Sequence, residues 1–298
     1  MEQEKKFTDM FKDRAQTSIL WIYDCETGEK KEVTRFDHVI EAPNWSKDGK
    51  ALYYNSLGLI NRLDLDTLVS EQVDTGKAIA CNNDHVLAAD GSGIAISSND
   101  NGGFDSNIFI VRFSDHSVTK VIDKPLSFLH GWSPDGKKIA YCAARMCGTP
   151  ELEWDVYIAD ADGSNETRLT ETYGLNDGPE FSPDGKQIWF NSVRTGRMQA
   201  WRMNADGSEQ TQMTFDKTMN SWFPHISPDG TRVVYIAYHQ EDLKAGDHVP
   251  DKNVEIRMIP ATGGEEKTLV KFFGGQGSMN VNSWAPDSRR FAFVSYEA

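Results

Sequence analysis

One ten-residue stretch decides how this chain folds: Trp132-Ser133-Pro134-Asp135-Gly136-Lys137-Lys138-Ile139-Ala140-Tyr141. Pro134 presets φ at the second turn position, Asp135 tolerates the third, and Gly136 supplies the positive φ that closes a bulged hairpin. Apolar and polar residues alternate after the turn, as they do in a half-buried strand. The stretch therefore predicts a strand, a tight turn and a second strand.

This hairpin recurs along the whole chain. Its turn aspartate returns at intervals of 42, 45, 49, 45 and 58 residues, in copies that contain Asp48, Asp90, Asp135, Asp184, Asp229 and Asp287. A period near 45 residues is typical of one four-stranded propeller blade per repeat. The six copies predict an all-β fold, a six-bladed β-propeller.

A second turn of the Ala-Asp-Gly-Ser type follows five of the hairpins, and the sixth copy lies near the N-terminus, in residues 20–28. We therefore predict that residues 17–34 complete the blade formed by residues 281–296. Closure by N- and C-terminal strands sharing the last blade would remove an open sheet edge. Residues 1–298 are predicted to form a single domain, with the other blades at residues 40–73, 78–122, 128–169, 178–213 and 222–270.

The repeated pattern WSPDGKxIAY resembles that of the TolB-like six-bladed β-propeller family. The same repeat occurs in the propeller domains of prolyl-oligopeptidase-like enzymes and in oligogalacturonate lyases. The resemblance covers nearly the whole chain and is specific for the fold. It implies no single activity, because such repeats occur in scaffolds and in enzymes.

Charge and composition limit the classes of partner. The net charge of −14 and the isoelectric point near 4.9 argue against nucleic acid or an anionic membrane as a partner. The N-terminal residues 1–15 show no apolar stretch, so we expect no signal peptide, no membrane span and a cytoplasmic location, or a periplasmic one if a leader has been removed. The four cysteines lack metal-binding spacing, and we expect reduced thiols.

In an antiparallel blade, connections alternate between its two ends. The two repeated turns of each blade should share one end, here called the turn end. The loops between second and third strands, together with the connections between blades, should share the other, here called the loop end, where function is more often found. Residues flanking the inner strands at the loop ends are the candidate ligand-binding residues: His130, Arg145, Asp177, Glu180, Asn191, Arg194, Trp222, His225, Tyr238 and His239.

Charged, amide and indole groups in this set suit a small polar, saccharide-like ligand. The alternative is a polar channel lining that only holds structural water. The set is densest in the fifth repeat, where an insertion at residues 240–252 follows Tyr238 and His239. His225, His239 and His130 are the candidate ligands of a divalent metal. Oligogalacturonate lyases use a histidine-rich manganese site, but their motif cannot be matched here residue by residue.

The sequence favours a non-catalytic binding protein that recognises a protein partner or a small polar ligand at the loop ends. The alternative is a carbohydrate-active lyase or hydrolase with a divalent metal, or with Asp177 or Glu180 and His225 as acid and base. Serine-hydrolase chemistry is not expected, because no Gly-x-Ser-x-Gly motif is followed by a predicted helix.

Overall fold

The repeated turns join antiparallel strands in the computed structural model, which describes residues 16–99, 105–148 and 151–297. All regular secondary structure in these ranges is β-strand. The strands form five four-stranded sheets and one three-stranded sheet, arranged as the six blades of a β-propeller. The predicted fold class is therefore confirmed.

The chain divides into two compact units, one of residues 1–129 with 277–298 and one of residues 130–276. In the first unit, blade one is β3 (Glu41–Trp45), β4 (Ala51–Ser56), β5 (Leu59–Asp64) and β6 (Ser70–Gln72). Blade two is β7 (Cys81–Leu87), β8 (Gly93–Ser98), β9 (Asn107–Arg112) and β10 (Val118–Ile122). The three-stranded sheet is β1 (Thr17–Asp24), β2 (Lys30–Phe36) and β23 (Arg290–Glu297).

Blades three to five follow the same strand order. Blade three is β11 (Ser127–Trp132), β12 (Lys138–Met146), β13 (Leu152–Asp160) and β14 (Thr167–Arg168). Blade four is β15 (Asn176–Phe181), β16 (Gln187–Ser192), β17 (Gln199–Asn204) and β18 (Thr211–Gln212). Blade five is β19 (Met219–Ile226), β20 (Arg232–His239), β21 (Lys252–Pro260) and β22 (Lys267–Gly274). The single-domain organisation stays a prediction.

The terminal strands share one sheet, as predicted. Strand β1 pairs antiparallel with β23 in unbroken register, from Thr17 opposite Glu297 to Asp24 opposite Arg290. The expected innermost strand of this sheet is reduced to an isolated bridge between Trp284 and Phe291. The Trp284 amide donates to Asn282 Oδ1 at 3.0 Å, so a side chain takes a group that a regular ladder would use.

Local hydrogen bonds explain why the turn motif recurs. Ser133 Oγ donates to Asp135 Oδ1 at 2.7 Å, the Lys137 amide donates to the same oxygen at 3.1 Å, and Gly136 has φ of 73°. In each blade, one backbone hydrogen bond joins the second repeated turn to the turn that contains the aspartate. These donor–acceptor pairs are Cys25–Arg289, Leu65–Lys50, Phe113–Ser92, Ala161–Lys137, Ala205–Lys186 and Ala261–Thr231. The two turns therefore share one end of each blade, as the sequence predicts.

The first strands of blades one, four and five contain a bulge before a proline. The residue there has positive φ: 55° at Ala42, 62° at Gly178 and 53° at Phe223. The pairing register shifts at the same places. A Cβ on Gly178 would lie 2.6 Å from Asn191 Oδ1, so any larger residue there would displace that buried side chain. Bulges redirect the side chains beside them, and these ones set the directions of Asp177 and Trp222.

Each unit has its own apolar layers between sheets. In the second unit, Phe181, Phe190 and Trp201 pack between blades three and four. Trp189 and Tyr235 belong to the next layer. The described residues include no apolar helix long enough to cross a bilayer.

Candidate functional site

A carboxylate and an imidazole meet at the inner strands of the second unit. His130 Nε2 on β11 lies 3.1 Å from Asp177 Oδ1 on β15, and both residues are buried. The Gly178 amide donates to the same carboxylate oxygen at 2.7 Å. Burial by itself would raise the pKa of Asp177, but the charge and hydrogen bond of His130 and the hydrogen bond from the Gly178 amide outweigh it and hold that pKa at about 2. Asp177 is therefore ionised at neutral pH.

Aromatic rings enclose this pair. The rings of His130 and Phe223 are stacked, with centroids 5.6 Å apart at 21°. His248 belongs to the long loop of blade five, residues 240–251. The centroid of its ring lies 4.2 Å from that of the Trp222 ring and 5.3 Å from that of the Phe223 ring. Burial lowers the pKa of His248 to about 4 although Asp177 opposes the shift, so this imidazole is neutral at pH 7. We call His130, Asp177, Trp222, Phe223 and His248 the inner cluster.

The inner cluster helps to hold the long loop in place. The Tyr238 hydroxyl donates to the Val249 carbonyl at 3.2 Å, and the Gln276 amide donates to it at 3.1 Å. Tyr238 is itself buried against Trp222. Together with the packing of His248 against Trp222, these bonds anchor the C-terminal part of the loop to β20 and to the segment that follows β22.

Glu180 and His225 form a second pair, and its contacts are those of a structural element. His225 Nδ1 lies 2.7 Å from Glu180 Oε2, while Glu180 Oε1 accepts the Ile226 amide at 3.0 Å. Asn44 occupies the position of Glu180 in the first repeat, and its side-chain oxygen accepts the Leu87 amide at 3.0 Å. The shared role is to connect the first strands of successive blades.

Three more predicted residues have local structural contacts. Asn191 is buried, and its side-chain oxygen accepts the Phe223 amide at the bulge, at 3.0 Å. Arg145 lies 3.4 Å from Glu166 and 5.6 Å from the ring centre of Tyr157, within blade three. Arg194 donates to Asn176 Oδ1 at 3.0 Å and lies over the Trp201 ring. The contacts of both arginines named above are with groups of their own blades.

The three predicted metal ligands each face a different carboxylate. His130 faces Asp177 and His225 faces Glu180, whereas His239 Nε2 lies 4.0 Å from Glu255 Oε1 on the neighbouring strand. In the part of the chain that the structure describes, no group of three or more His, Cys, Asp or Glu side chains is arranged to hold a metal ion. The fold thus brings together His130, Asp177 and Trp222 but not the three histidines.

Two features of the loop ends are absent from the sequence-based residue set. His248 was visible only as part of an insertion, and its packing on Trp222 depends on the path of the loop. The other feature is a group of exposed large apolar side chains. Seven of the nine in the described ranges lie at loop ends: Leu57, Ile79, Met146, Leu152, Tyr173, Phe215 and Phe273.

Comparisons with known proteins place the chain. A family model described as the TolB beta propeller domain matches residues 130–268. An uncharacterized protein of Agrobacterium fabrum is 43% identical over 94% of this chain and 92% of its own length. A solved structure from Agrobacterium tumefaciens, provisionally named TolB, is 42% identical, covers 95% of this chain and 99% of its own, and superposes with a TM-score of 0.88. The chain belongs to the TolB-like β-propeller family.

Two further comparisons involve proteins that are longer than the matched region. The Tol-Pal system protein TolB of Francisella tularensis is 26% identical over 90% of this chain, which spans only 59% of that protein. An oligogalacturonate lyase of Vibrio parahaemolyticus has a TM-score of 0.56 at 14% identity and covers 86% of this chain and 73% of its own. At that identity, the likeness shows a shared fold alone.

Proposed function

We propose that this TolB-like chain is a non-catalytic binding protein that recognises a protein partner at the loop ends of blades three to five. The observation that carries the proposal is the exposure of large apolar side chains there. Met146 and Leu152 are opposite each other across β12 and β13 and are 62% and 49% exposed. Tyr173 and Phe215, in the connections that follow blades three and four, are 96% and 65% exposed.

These residue types are the ones that bury well at an interface. Aromatic residues and methionine are enriched at the centres of protein interfaces, and clustered exposed apolar surface is typical of an interaction site. Exposed acidic residues lie in the same loops, among them Glu151, Glu171 and Glu241. A complementary partner would therefore present apolar residues surrounded by lysine or arginine.

The anchored loop of blade five supports the same proposal. The packing of its His248 against Trp222 and its bonds through Val249 restrict the loop before any partner arrives. A surface that is already ordered loses less conformational entropy on binding. The Francisella tularensis relative is named as a protein of the Tol-Pal system, a name that suits a protein working with other proteins.

The contacts of the inner strands favour a non-catalytic binding protein over a carbohydrate-active lyase or hydrolase. Both carboxylate oxygens of Glu180 are engaged, one by His225 and one by the Ile226 amide. Asp177 is held by His130 and by the Gly178 amide. These carboxylates therefore have structural partners within the fold.

Site-specific photo-crosslinking tests the proposal. The photoreactive amino acid p-benzoylphenylalanine replaces Tyr173 in one sample and Val69, a 55% exposed residue at the turn end of blade one, in a control. We expect a discrete protein adduct from the source organism's lysate at position 173 and none at position 69. Adding Met146→Ser to the first sample should weaken the adduct without lowering the melting temperature, because Met146 is exposed. No adduct, or the same adduct at both positions, would contradict the proposal.

A further inference from the structure

Two adjoining cavities lie between blades one and two, at their turn ends. The larger has a volume of about 490 Å³ and the smaller about 260 Å³, and both are lined by Tyr53, Arg62 and Phe113. Lys47, Asp48, Leu87 and Asp90 complete most of the larger one. Its size is in the range of small-molecule sites, roughly 300–1,000 Å³. None of these residues belongs to the inner cluster or to the exposed apolar side chains proposed to bind a protein partner.

The wall shared by the two cavities is aromatic. The rings of Tyr53 and Phe113 are nearly parallel, at 13°, with centroids 5.8 Å apart. Leu87 extends the apolar surface of the larger cavity. Burial raises the pKa of Tyr53 although the neighbouring Arg62 charge opposes the shift, so the phenol stays neutral. A flat apolar group could therefore lie against this wall.

Arg62 contributes a guanidinium group that contacts the Tyr53 hydroxyl and the Asp64 carboxylate. Within the described ranges, its ion-pair contact is with Asp64 Oδ2 at 3.6 Å, which is longer than a hydrogen bond. The group is about one-third exposed and borders both cavities. A planar guanidinium carries five N–H groups in a fixed fork, and that fork matches the two oxygens of a carboxylate.

The fold contains its own comparison for this arginine. Arg62 is opposite Tyr53 across β4 and β5, and Arg202 is opposite Trp189 across β16 and β17. Arg202 donates to the Ala261 carbonyl at 2.8 Å, so its guanidinium reaches the second turn of the following blade. Phe113 occupies the place of Ala261 in blade two. Between blades four and five, the Arg202–Ala261 contact fills the space beside the arginine. Between blades one and two, the corresponding space beside Arg62 is the cavity.

The surrounding charges limit the kind of anion that would bind. Lys47 adds a second positive charge to the larger cavity. Asp48 and Asp90 border it, and hydrogen bonds within their turns, led by those from Ser46 and Ser92, lower the pKa of each so that both are ionised. Glu71 and Asp74 border the smaller cavity. This acidic rim opposes a dianion more strongly than a singly charged group.

We propose that the larger cavity binds a small monocarboxylate with a flat apolar body. The carboxylate would pair with the Arg62 guanidinium, and the body would lie against Phe113 and Leu87. The chemical class is thus an aryl or similarly planar carboxylate rather than a phosphate ester.

Calorimetric titration with benzoate tests this proposal on the full chain. We expect saturable binding to the parent protein, weaker by at least roughly tenfold in Arg62→Gln, the loss expected for one charge-assisted pair. The matched control is Arg202→Gln, which should bind benzoate like the parent. Arg62→Lys keeps the charge but loses the planar fork and should give intermediate affinity. Acetate, which lacks the flat body, and phenyl phosphate, a dianion, should both bind more weakly than benzoate.

Melting curves separate binding from folding in these variants. Arg202→Gln loses the bond to Ala261 and should melt at a lower temperature, whereas Arg62→Gln should melt close to the parent. Undiminished benzoate binding by Arg62→Gln, or no saturable binding by the parent, would overturn the proposal. Phenyl phosphate binding as tightly as benzoate would overturn the assigned ligand class.

Discussion

A buried histidine should make the first unit sensitive to mild acid. His85, on β7, is fully buried, and its Nε2 lies 3.4 Å from the Tyr53 carbonyl. Its Nδ1 is buried and has no hydrogen-bond partner within the described ranges. Burial lowers the pKa of His85 from 6.5 to about 4, although the carbonyl groups of Tyr53 and Ala42 oppose the shift. Protonation would place a positive charge in this fully buried site.

The sign and the size of the effect follow from these two pKa values. Above pH 6.5 the imidazole is neutral in the folded and the unfolded chain. As the pH falls further, the unfolded chain takes up a proton and the folded chain does not, until about pH 4. Stability is therefore present above pH 6.5 and is lost between pH 6.5 and 4. At 1.36 kcal/mol per pKa unit, the loss between pH 7.5 and pH 5.0 is about 2 kcal/mol.

Urea unfolding of the parent and of His85→Gln at both pH values measures this loss. Glutamine can still donate to the Tyr53 carbonyl but does not titrate. Other titrating groups are common to both proteins, so their contributions cancel in the difference. The free energy of unfolding of the parent should fall by about 2 kcal/mol more than that of the variant on going to pH 5.0. Equal losses in the two proteins would refute the assignment of a neutral buried imidazole.

Three further predictions concern closure, the turns and the long loop. Deleting residues 1–34 removes β1 and most of β2 and exposes the edge of β23, so the protein should aggregate or lose cooperative melting. A deletion variant that melts like the parent would contradict the role of the terminal strands. Asp184→Ala removes bonds from Ser182 Oγ and the Lys186 amide and should lower the melting temperature by roughly 2 °C without changing the crosslink at Tyr173. His248→Ala should speed amide hydrogen exchange in residues 240–251 by roughly tenfold, whereas His248→Phe, which keeps a ring against Trp222, should not. Equal exchange rates in the two variants would show that the contact between the rings does not hold the loop.

Part of the site could be predicted because position along a strand follows from the repeat. The sequence placed His130, Asp177 and Trp222 at the loop ends of inner strands, and these three belong to one cluster. It also grouped them with Arg145 and Arg194, whose side chains contact groups in their own blades or turns. A repeat position gives the height of a residue in a blade, but the direction of a long side chain depends on the partners within its reach.

The blades, their order and the pairing of the terminal strands could be predicted from the amino-acid sequence alone. The reason is local: Ser133, Asp135 and Gly136 complete their hydrogen bonds within a few residues, so the turn is readable wherever it recurs. Which histidine lies beside which carboxylate depends on the packing of the blades, because His130 and Asp177 come from different blades and a bulge sets the direction of Asp177. The same holds for Arg62 and Arg202: both are opposite an aromatic residue, but only packing against the next blade decides that one closes a gap and the other borders a cavity.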